Sequence, residues 1–298
     1  TEQLAIDEIN SGVMAAPAAE LRSYLPAVGN DNSQGEYYLP DVLSLAVREG
    51  KTVQSCLANS ELEILGVNDR LQLNQVEREF QRRQGEQLLL DGVSVADIDR
   101  LDVRGRLSAG RDVMIDVNTV FEGEVVLEDG VCIGPNCVLK NVTVGAGAEI
   151  HAMSHLEDAR VGANCSVGPY ARLRPGTELA TGARIGNFVE TKKAVIGEGS
   201  KVNHLSYIGD CDMGAGVNIG AGTITCNYDG ANKHKTEMGD NVFVGSNSTL
   251  VAPLKIDSDG FVGAGSTVTR AVEKGDLAVS RARQRNIKGW QRPVKEED

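Results

Sequence analysis

The chain has 298 residues and a formal net charge of −12, with a sequence pI near 4.9. This acidity argues against nucleic acid or an anionic membrane surface as a general partner, so an anionic ligand requires a local basic cluster. The 34 glycines and the aromatic content of only 4% favour tight turns around a core of small and branched aliphatic side chains.

Six cysteines are spread along the chain without CxxC spacing, mostly among apolar neighbours. This arrangement favours reduced, buried thiols over disulfides or a zinc site. The sequence has no apolar run of about 18 residues and no charged-then-apolar leader, so we expect an unexported protein of the cytoplasm.

Residues 1–67 combine short apolar runs with helical signals, which is typical of part of an α/β unit. The stretch YYLPDVLSLAVREGK places Val42, Leu43 and Leu45 on one helical face and ends near Gly50, a helix-stop signal.

A long amphipathic linker helix is predicted over residues 68–92. Leu73, Val76 and Phe80 recur at helical spacing, with charged residues at most other positions. Either Asn68 or Asp69 is expected to cap the helix, which would connect the first segment rigidly to the rest.

Residues 93–270 repeat an aliphatic position about every six residues, as in Ile115, Phe121, Leu127 and Ile133. A strand repeats every two residues and an α-helix every 3.6, so this period indicates short strands joined by turns. Three such units would close a triangular coil of about eighteen residues, and stacked coils would bury the aliphatic columns. We therefore predict a mainly β fold, a parallel β-helix of hexapeptide repeats, with a C-terminal arm over 271–298.

Two interruptions of the repeat are candidates for a functional site. The polar stretch CNYDGANKHKTE, residues 226–237, is predicted to leave the wall as a binding loop that covers a site on its flank. A second interruption is expected between Ile185 and Ile196, where eleven residues separate successive aliphatic positions.

Basic and aromatic residues fall at similar positions in successive coils. Arg174, Lys192 and Tyr207 lie about one coil apart, with His204 nearby, so stacking predicts an anion pocket beside a general base. Two plainer interpretations remain open: His204 as a hydrogen-bonded wall residue, and Lys192 with Lys193 as a solvated corner. No Ser-His-Asp order, HExxH motif or P-loop supports covalent or metal-dependent chemistry.

Several strings of the sequence closely resemble one enzyme family. ARLRPG, GNFVETKK, HLSYIGD, NIGAGTITCNYDG and NVFVGSNSTLVAP resemble the acetyltransferase domain of the bifunctional bacterial N-acetylglucosamine-1-phosphate uridylyltransferase/glucosamine-1-phosphate acetyltransferases. EINSG, QGEYYLPD and GVNDRLQL extend the resemblance over nearly the whole chain. It implies a left-handed β-helix, a homotrimer with inter-subunit active sites, and transfer of acetyl from acetyl-CoA to the amine of glucosamine 1-phosphate for UDP-N-acetylglucosamine synthesis.

The same resemblance implies roles for individual residues. His204 would be the general base that takes a proton from the amine, and Glu190 the neighbour that orients it. The sugar-phosphate ligands would be Arg174, Lys192, Tyr207, Asn218 and, from the loop, Lys233. The coenzyme A groove would be lined by Ala221, Asn227, Tyr228, Ser246, Ala264 and Arg281. The chemistry agrees, because an ammonium cannot attack a carbonyl and an unperturbed imidazole, with a pKa of about 6.5, can deprotonate it.

In such enzymes the Gly-rich nucleotide loop and an acidic magnesium ligand of the uridylyltransferase would precede Thr1. Asn10 and Asn68 match remaining uridylyltransferase positions, and Asn68 is a candidate for the shell of Mg²⁺ in the full-length parent. We therefore expect this chain, as an N-terminally truncated form, to lack uridylyl transfer from UTP.

Three other functions fit a hexapeptide solenoid: an acyltransferase with a different acceptor, a γ-carbonic-anhydrase-like zinc protein, and a purely structural or binding solenoid. The zinc protein would need a set of histidines across coils. His151 and His155 form the one close pair, with the others at His204 and His234. No nucleic acid or membrane partner is expected.

Overall fold

The computed structural model describes residues 10–293 and 295, and the chain divides into two compact units, Thr1–Arg78 and Glu79–Asp298. No helix in these ranges is long and apolar enough to span a membrane. Residues 10–67 contain helices but no strand, so the predicted α/β segment is represented by its helices alone. The α-helices are α1 (Ala18–Tyr24), α2 (Asp41–Arg48) and α3 (Arg70–Leu90), with 3-10 turns at Leu25–Ala27, Glu61–Ile64 and Ile98–Arg100.

Helix α2 forms where the sequence predicts it, and α3 begins with a reciprocal cap. Gln72 N donates to Asp69 Oδ1 at 2.8 Å, while Asn68 N donates to Gln72 Oε1 at 2.7 Å. Asp69 rather than Asn68 therefore supplies the capping side chain.

The face of α3 that is buried differs from the predicted apolar face. Leu73 and Phe80 are 55% and 57% exposed, whereas Gln81 and Gly85 are buried. Gln81 Nε2 donates to Val103 O at 3.0 Å, and its Oε1 accepts from Val103 N at 2.7 Å. The side-chain amide of Gln81 thus makes the two hydrogen bonds to Val103 that a neighbouring strand would otherwise make.

The second unit is a stack of short parallel strands. In chain order they are β1 (Ser94–Val95), β2 (Leu101–Ala109), β3 (Met114–Ile115), β4 (Thr119–Leu127), β5 (Cys132–Ile133), β6 (Val138–Lys140), β7 (Thr143–Val144), β8 (Glu149–Ile150), β9 (His155–Glu157), β10 (Ala159–Val161), β11 (Ser166–Val167), β12 (Arg172–Leu173) and β13 (Thr177–Leu179). The stack continues with β14 (Arg184–Asn187), β15 (Glu190–Ile196), β16 (Lys201–His204), β17 (Tyr207–Met213), β18 (Asn218–Ile219), β19 (Ile224–Cys226), β20 (Thr236–Met238), β21 (Phe243–Val244), β22 (Thr249–Val251), β23 (Leu254–Ile256), β24 (Phe261–Val262), β25 (Thr267–Val268) and β26 (Leu277–Ala278).

These strands build three walls, numbered in the order in which the chain visits them. Wall 1 is an 11-stranded sheet that runs from β1 to β26, while walls 2 and 3 share a 15-stranded sheet because β2, β4, β15 and β17 continue around a corner. Ile115 pairs with Ile133 and Ile133 with Ile150, so inward aliphatic residues stack directly from coil to coil. The structure confirms the predicted parallel β-helix, which extends beyond residue 270 because β26 pairs with β24.

The interruption predicted between Ile185 and Ile196 is wrong. Thr191 occupies the inward position there and is fully buried, in register with Leu173. Its Oγ1 lies 3.0 Å from Thr177 Oγ1, so the two hydroxyls satisfy each other inside the core. An aliphatic pattern alone misses such a position.

Most corners of the coils use left-handed backbone at Asn, Asp or Gly, as at Asn118 with φ 59°. The corner between walls 1 and 2 departs from this rule in four successive coils, where large apolar residues have positive φ. Their side chains are 46–62% exposed. We name this row, Met153, Tyr170, Phe188 and Leu205, the apolar ridge; the rings of Tyr170 and Phe188 stack with centroids 5.3 Å apart.

The six cysteines are all free, and Cys137, Cys165 and Cys211 are buried as the sequence predicts. Burial raises the pKa of the Cys211 thiol, which keeps it protonated and inert. Cys56 is exposed.

Candidate active site

His204 ends strand β16 on wall 1, at the corner with wall 2. Its register partner in the preceding coil is Asn187, at the end of β14. His204 Nδ1 lies 2.8 Å from Asn187 Oδ1. An amide oxygen only accepts hydrogen bonds, so this contact requires Nδ1 as the donor, and Nε2 of the exposed ring would keep its lone pair when the ring is neutral. This arrangement suits a general base.

Glu190 does not have the predicted contact with His204. Its Oε1 lies 2.7 Å from Arg174 Nη1 in an ion pair whose two side chains are each 34% exposed. Among the described residues, Asn187 rather than Glu190 is the hydrogen-bond partner of the His204 ring. Sequence reasoning missed Asn187, although its place one coil before His204 was a usable signal.

Arg174, Lys192 and Lys233 converge on wall 2. Arg174 and Lys192 are neighbours because Leu173 pairs with Thr191 one residue earlier. The ammonium of Lys233, together with partial desolvation and the nearby Arg174, lowers the pKa of Lys192. We name these three residues the cation cluster. Because like charges repel, a bound anion would stabilise them.

The strand pairing of Tyr207 differs from the predicted one, in which Tyr207 lies in line with Lys192. Tyr207 pairs with Glu190, and the partner of Lys192 is Gly209. A Cβ on Gly209 would lie 2.5 Å from the Tyr207 hydroxyl oxygen and 2.8 Å from Asn227 Nδ2. The phenol therefore lies over Gly209, where the missing side chain leaves space beside Lys192.

The loop at 226–237 is a small ordered hairpin, in which Tyr228 and Lys233 form an antiparallel bridge. Asp229 Oδ1 accepts from Asn232 N at 2.6 Å, and Oδ2 lies 2.7 Å from His234 Nε2. The hydrogen bonds from the backbone of Asn232 and from His234 hold the pKa of Asp229 well below its usual range. The hairpin thus places Lys233 beside Lys192 of its own chain.

A row of small residues continues from His204 along the same corner. Strand register places Ala221, Ser246 and Ala264 in the three following coils, each two residues beyond an inward position. At the end of the row Arg281 Nη1 donates to Ala264 O at 2.6 Å. The backbone N–H groups of Ala221, Ser246 and Ala264 have no acceptor among the described residues. We name this row the groove; its N–H donors recur about every 4.8 Å.

Two further predicted ligands lie at the margin of this arrangement. Asn218 is on wall 1, in line with Lys201 and Phe243, and the fold of one chain does not bring it to the cation cluster on wall 2. Asn227 is buried, and its Nδ2 donates to the carboxylate of Asp210, so it also supports the base of the hairpin.

Asn10 and Asn68 belong to the first unit and are both exposed. Asn10 Oδ1 accepts from Gly12 N at 2.8 Å. One amide oxygen does not make a magnesium site, which takes several oxygen ligands, so Asn68 by itself does not fit that role. The described residues include no group of three or more His, Cys, Asp or Glu that could hold a metal.

No family model matches the chain. Curated relatives named bifunctional protein GlmU are 58% identical over 294 residues in Marinobacter nauticus and 56% over 294 residues in Chromobacterium violaceum, each covering 99% of this chain and 65% of the relative. The relative from Pseudomonas putida is 55% identical over 293 residues, covering 98% and 64%. The chain thus spans 64–65% of the length of these relatives.

Two solved structures are more distantly similar. LpxA from Acinetobacter baumannii has a TM-score of 0.41 at 21% identity, covering 58% of this chain and 71% of that one. An Arabidopsis UDP-N-acetylglucosamine acyltransferase has a TM-score of 0.35 at 16% identity, covering 63% and 70%.

Proposed function

We propose that the chain transfers acetyl from acetyl-CoA to the amine of glucosamine 1-phosphate, because it is 55–58% identical to curated relatives named bifunctional protein GlmU, of whose length it spans 64–65%. The product, N-acetylglucosamine 1-phosphate, would supply UDP-N-acetylglucosamine synthesis in the cytoplasm, a location that the six free cysteines support. The observation that carries the proposal is an exposed imidazole, with Nε2 left basic, between the cation cluster and the groove.

The cation cluster supports recognition of the sugar phosphate. A phosphate monoester carries about −1.5 to −2 charge at neutral pH. Binding it between Arg174, Lys192 and Lys233 would relieve the repulsion that lowers the pKa of Lys192. The Tyr207 hydroxyl, held over Gly209, is placed to donate one further hydrogen bond.

His204 supports the chemical step. The substrate nitrogen must lose a proton before its lone pair can attack the thioester carbon, and Nε2 takes that proton. The new N–C bond forms as the carbonyl oxygen becomes an oxyanion, and the adduct collapses with loss of the CoA sulfur. The proton held by the imidazolium is then available to the departing thiolate. Since both substrates are bound, positioning supplies much of the acceleration and no acyl-enzyme is required.

The groove supports the coenzyme A side. Its unpaired N–H donors match the amide carbonyl groups along an extended pantetheine arm, and the donor at Ala221 lies one coil from His204. This donor is placed to stabilise the oxyanion. Arg281 at the far end of the groove would meet the phosphates, and Tyr228 borders the site from the hairpin.

A second copy of the chain is proposed to complete the pocket in a homotrimer. His204 and the cation cluster face outward from two walls that meet at a convex corner, whereas ligand sites are concave. The apolar ridge follows this corner, and its residues Phe188 and Leu205 directly follow Asn187 and His204. Phe188→Asp should shift the trimer to monomers in sedimentation; a monomer with full turnover would contradict this arrangement.

Thiol release from acetyl-CoA tests the function directly. We expect release with glucosamine 1-phosphate and little with glucosamine 6-phosphate, and a loss of at least about 100-fold in kcat for His204→Ala. His155→Ala is a matched control, because His155 is also exposed on the β-helix but lies on β9, away from the groove. Absence of release with any amino sugar would refute the proposal, and full turnover of His204→Ala would refute the assignment of the base.

A further inference from the structure

We propose that Asn187 is a positioning residue that fixes the neutral His204 ring in the tautomer with its proton on Nδ1, leaving Nε2 as the base. The inference rests on the proposed acetyl transfer and adds a residue to it. It starts from the 2.8 Å contact between His204 Nδ1 and Asn187 Oδ1.

The fold holds Asn187 in place independently of its side-chain bond. Strands β14 and β16 pair in parallel, with Asn187 directly beside His204. At the corner, Leu205 N donates to Asn187 O at 3.0 Å, so the residue that follows the histidine anchors the backbone of the asparagine. Phe188, the next residue, stacks on Tyr170. The amide therefore comes from a rigid neighbour, and not from a mobile loop.

The amide is also exceptional in its row. In the three coils before and the three coils after Asn187 and His204, the corresponding position carries Pro135, Ala152, Pro169, Ala221, Ser246 and Ala264. Asp97 has this position in the first coil, where its side chain accepts a hydrogen bond from Asp99 N. The hydrogen bond to the His204 ring explains why an asparagine is found at this position, one coil before the histidine.

A neutral partner orients the base without raising its pKa. A carboxylate beside the ring would favour the imidazolium, which cannot accept a proton. An amide oxygen selects the tautomer without adding charge. Besides the buried Cys211, the titratable and charged groups on the strands that meet at this corner are Arg184 on β14, Lys201 on β16, Glu190, Lys192 and Lys193 on β15, and Tyr207, Asp210 and Asp212 on β17. Arg174, which follows β12, is paired with Glu190.

Nitrogen NMR of protein labelled at histidine tests the tautomer without substrates. The His204 signals are identified by their loss in His204→Ala. We expect the neutral wild-type ring to carry its proton on Nδ1, and Asn187→Ala to move a large part of the population to the Nε2–H form. A wild-type ring with its proton on Nε2, or an Asn187→Ala spectrum identical to that of wild type, would overturn the proposal.

Kinetics separate positioning from folding. Asn187→Ala should lower kcat about 10- to 100-fold with little change in KM for the acceptor. Asn187→Asp should restore orientation but move the acidic limb of the kcat/KM profile to higher pH by about one unit, with recovery at alkaline pH. Asn203→Ala, which removes the same amide one residue before His204, should change neither tautomer nor profile.

The thermal midpoint of each variant shows whether it is folded. If a folded Asn187→Ala keeps wild-type kcat, or if Asn187→Asp keeps the wild-type acidic limb, the positioning role is refuted. A protein with the Nδ1–H tautomer and no acetyl transfer would refute the proposed function instead, so the two failures are distinguishable.

Discussion

Gly209→Ala should impair binding of the acceptor by moving Tyr207. The added Cβ would lie 2.5 Å from the Tyr207 hydroxyl oxygen and 2.7 Å from its ring carbon Cζ, both far closer than van der Waals contact. The φ angle of Gly209 is not in the left-handed region, so alanine fits the backbone without strain. The tip of a tyrosine yields more easily than a packed strand, and we therefore expect the phenol to swing away from Lys192.

The magnitude follows from the bond that would be lost. A hydrogen bond to a charged group contributes about 1.5–3 kcal/mol, and 1.4 kcal/mol is tenfold in affinity. We expect KM for glucosamine 1-phosphate to rise about 10- to 100-fold. The free energy of unfolding should fall by no more than about 2.5 kcal/mol, because overpacking costs about 1–3 kcal/mol and alanine is better than glycine in a strand by about 0.5–1 kcal/mol.

A double-mutant cycle on thiol release provides the test. Tyr207→Phe removes the hydroxyl without a clash and should raise KM by a similar factor. If the glycine acts through the tyrosine, the double variant should show little further increase in KM. Independent, multiplying effects of the two changes, or an unchanged KM in Gly209→Ala, would refute the reasoning.

Three further predictions concern the hairpin and the core. Lys233→Gln should raise the pKa of Lys192, because the ammonium that mainly depresses it is gone, and should weaken acceptor binding in calorimetry; an unchanged Lys192 titration by NMR would contradict the cation cluster. Thr191→Val should lower the free energy of unfolding in urea by about 0.5–1.5 kcal/mol, the net contribution of one hydrogen bond, since Thr177 Oγ1 keeps a backbone acceptor at 2.8 Å; a larger loss would show that the pair of hydroxyls contributes more than one such bond. The pKa of Asp229 is lowered in the folded state, mainly by hydrogen bonds from the backbone of its own hairpin. The contribution of Asp229 to the stability of the hairpin is therefore complete above the ordinary pKa of the carboxyl, and it is lost only as the pH falls through the lowered pKa. Amide protection of the hairpin should therefore be equal at pH 7 and pH 5 in wild type and low at both in Asp229→Ala, and a loss of protection at pH 5 in wild type would be the contrary result.

The repeat could be predicted from sequence because a period of six has few physical solutions. Inward residues such as Ile115, Ile133 and Ile150 bury almost completely, and each contributes about 1.5–3 kcal/mol on burial. Because every coil needs aliphatic residues at its inward positions, the requirement is visible in the sequence as a period of six. Thr191 shows the limit, because a buried hydroxyl is tolerated wherever a second one, here Thr177, lies in the adjacent layer.

The candidate site was predictable in its residue types and less so in its contacts. Spacing by coils predicted that Arg174, Lys192 and His204 lie close together, whereas Lys233 was implied only by the family resemblance. A shift of two residues decides which side chains are neighbours. That shift pairs Tyr207 with Glu190 instead of Lys192. Glu190 forms an ion pair with Arg174, a contact of side chains that the spacing does not predict. The burial of Gln81 in α3 was not predictable either, because its partner is a backbone segment about twenty residues later.

The contact of Gln81 with Val103 has a consequence for the solubility of the whole stack. The first coil of a parallel β-helix ends in N–H and C=O groups that point along the axis, a template on which a strand of another molecule can add. The amide of Gln81 occupies both groups of Val103. At Val103, helix α3 therefore blocks the addition of a strand from another molecule.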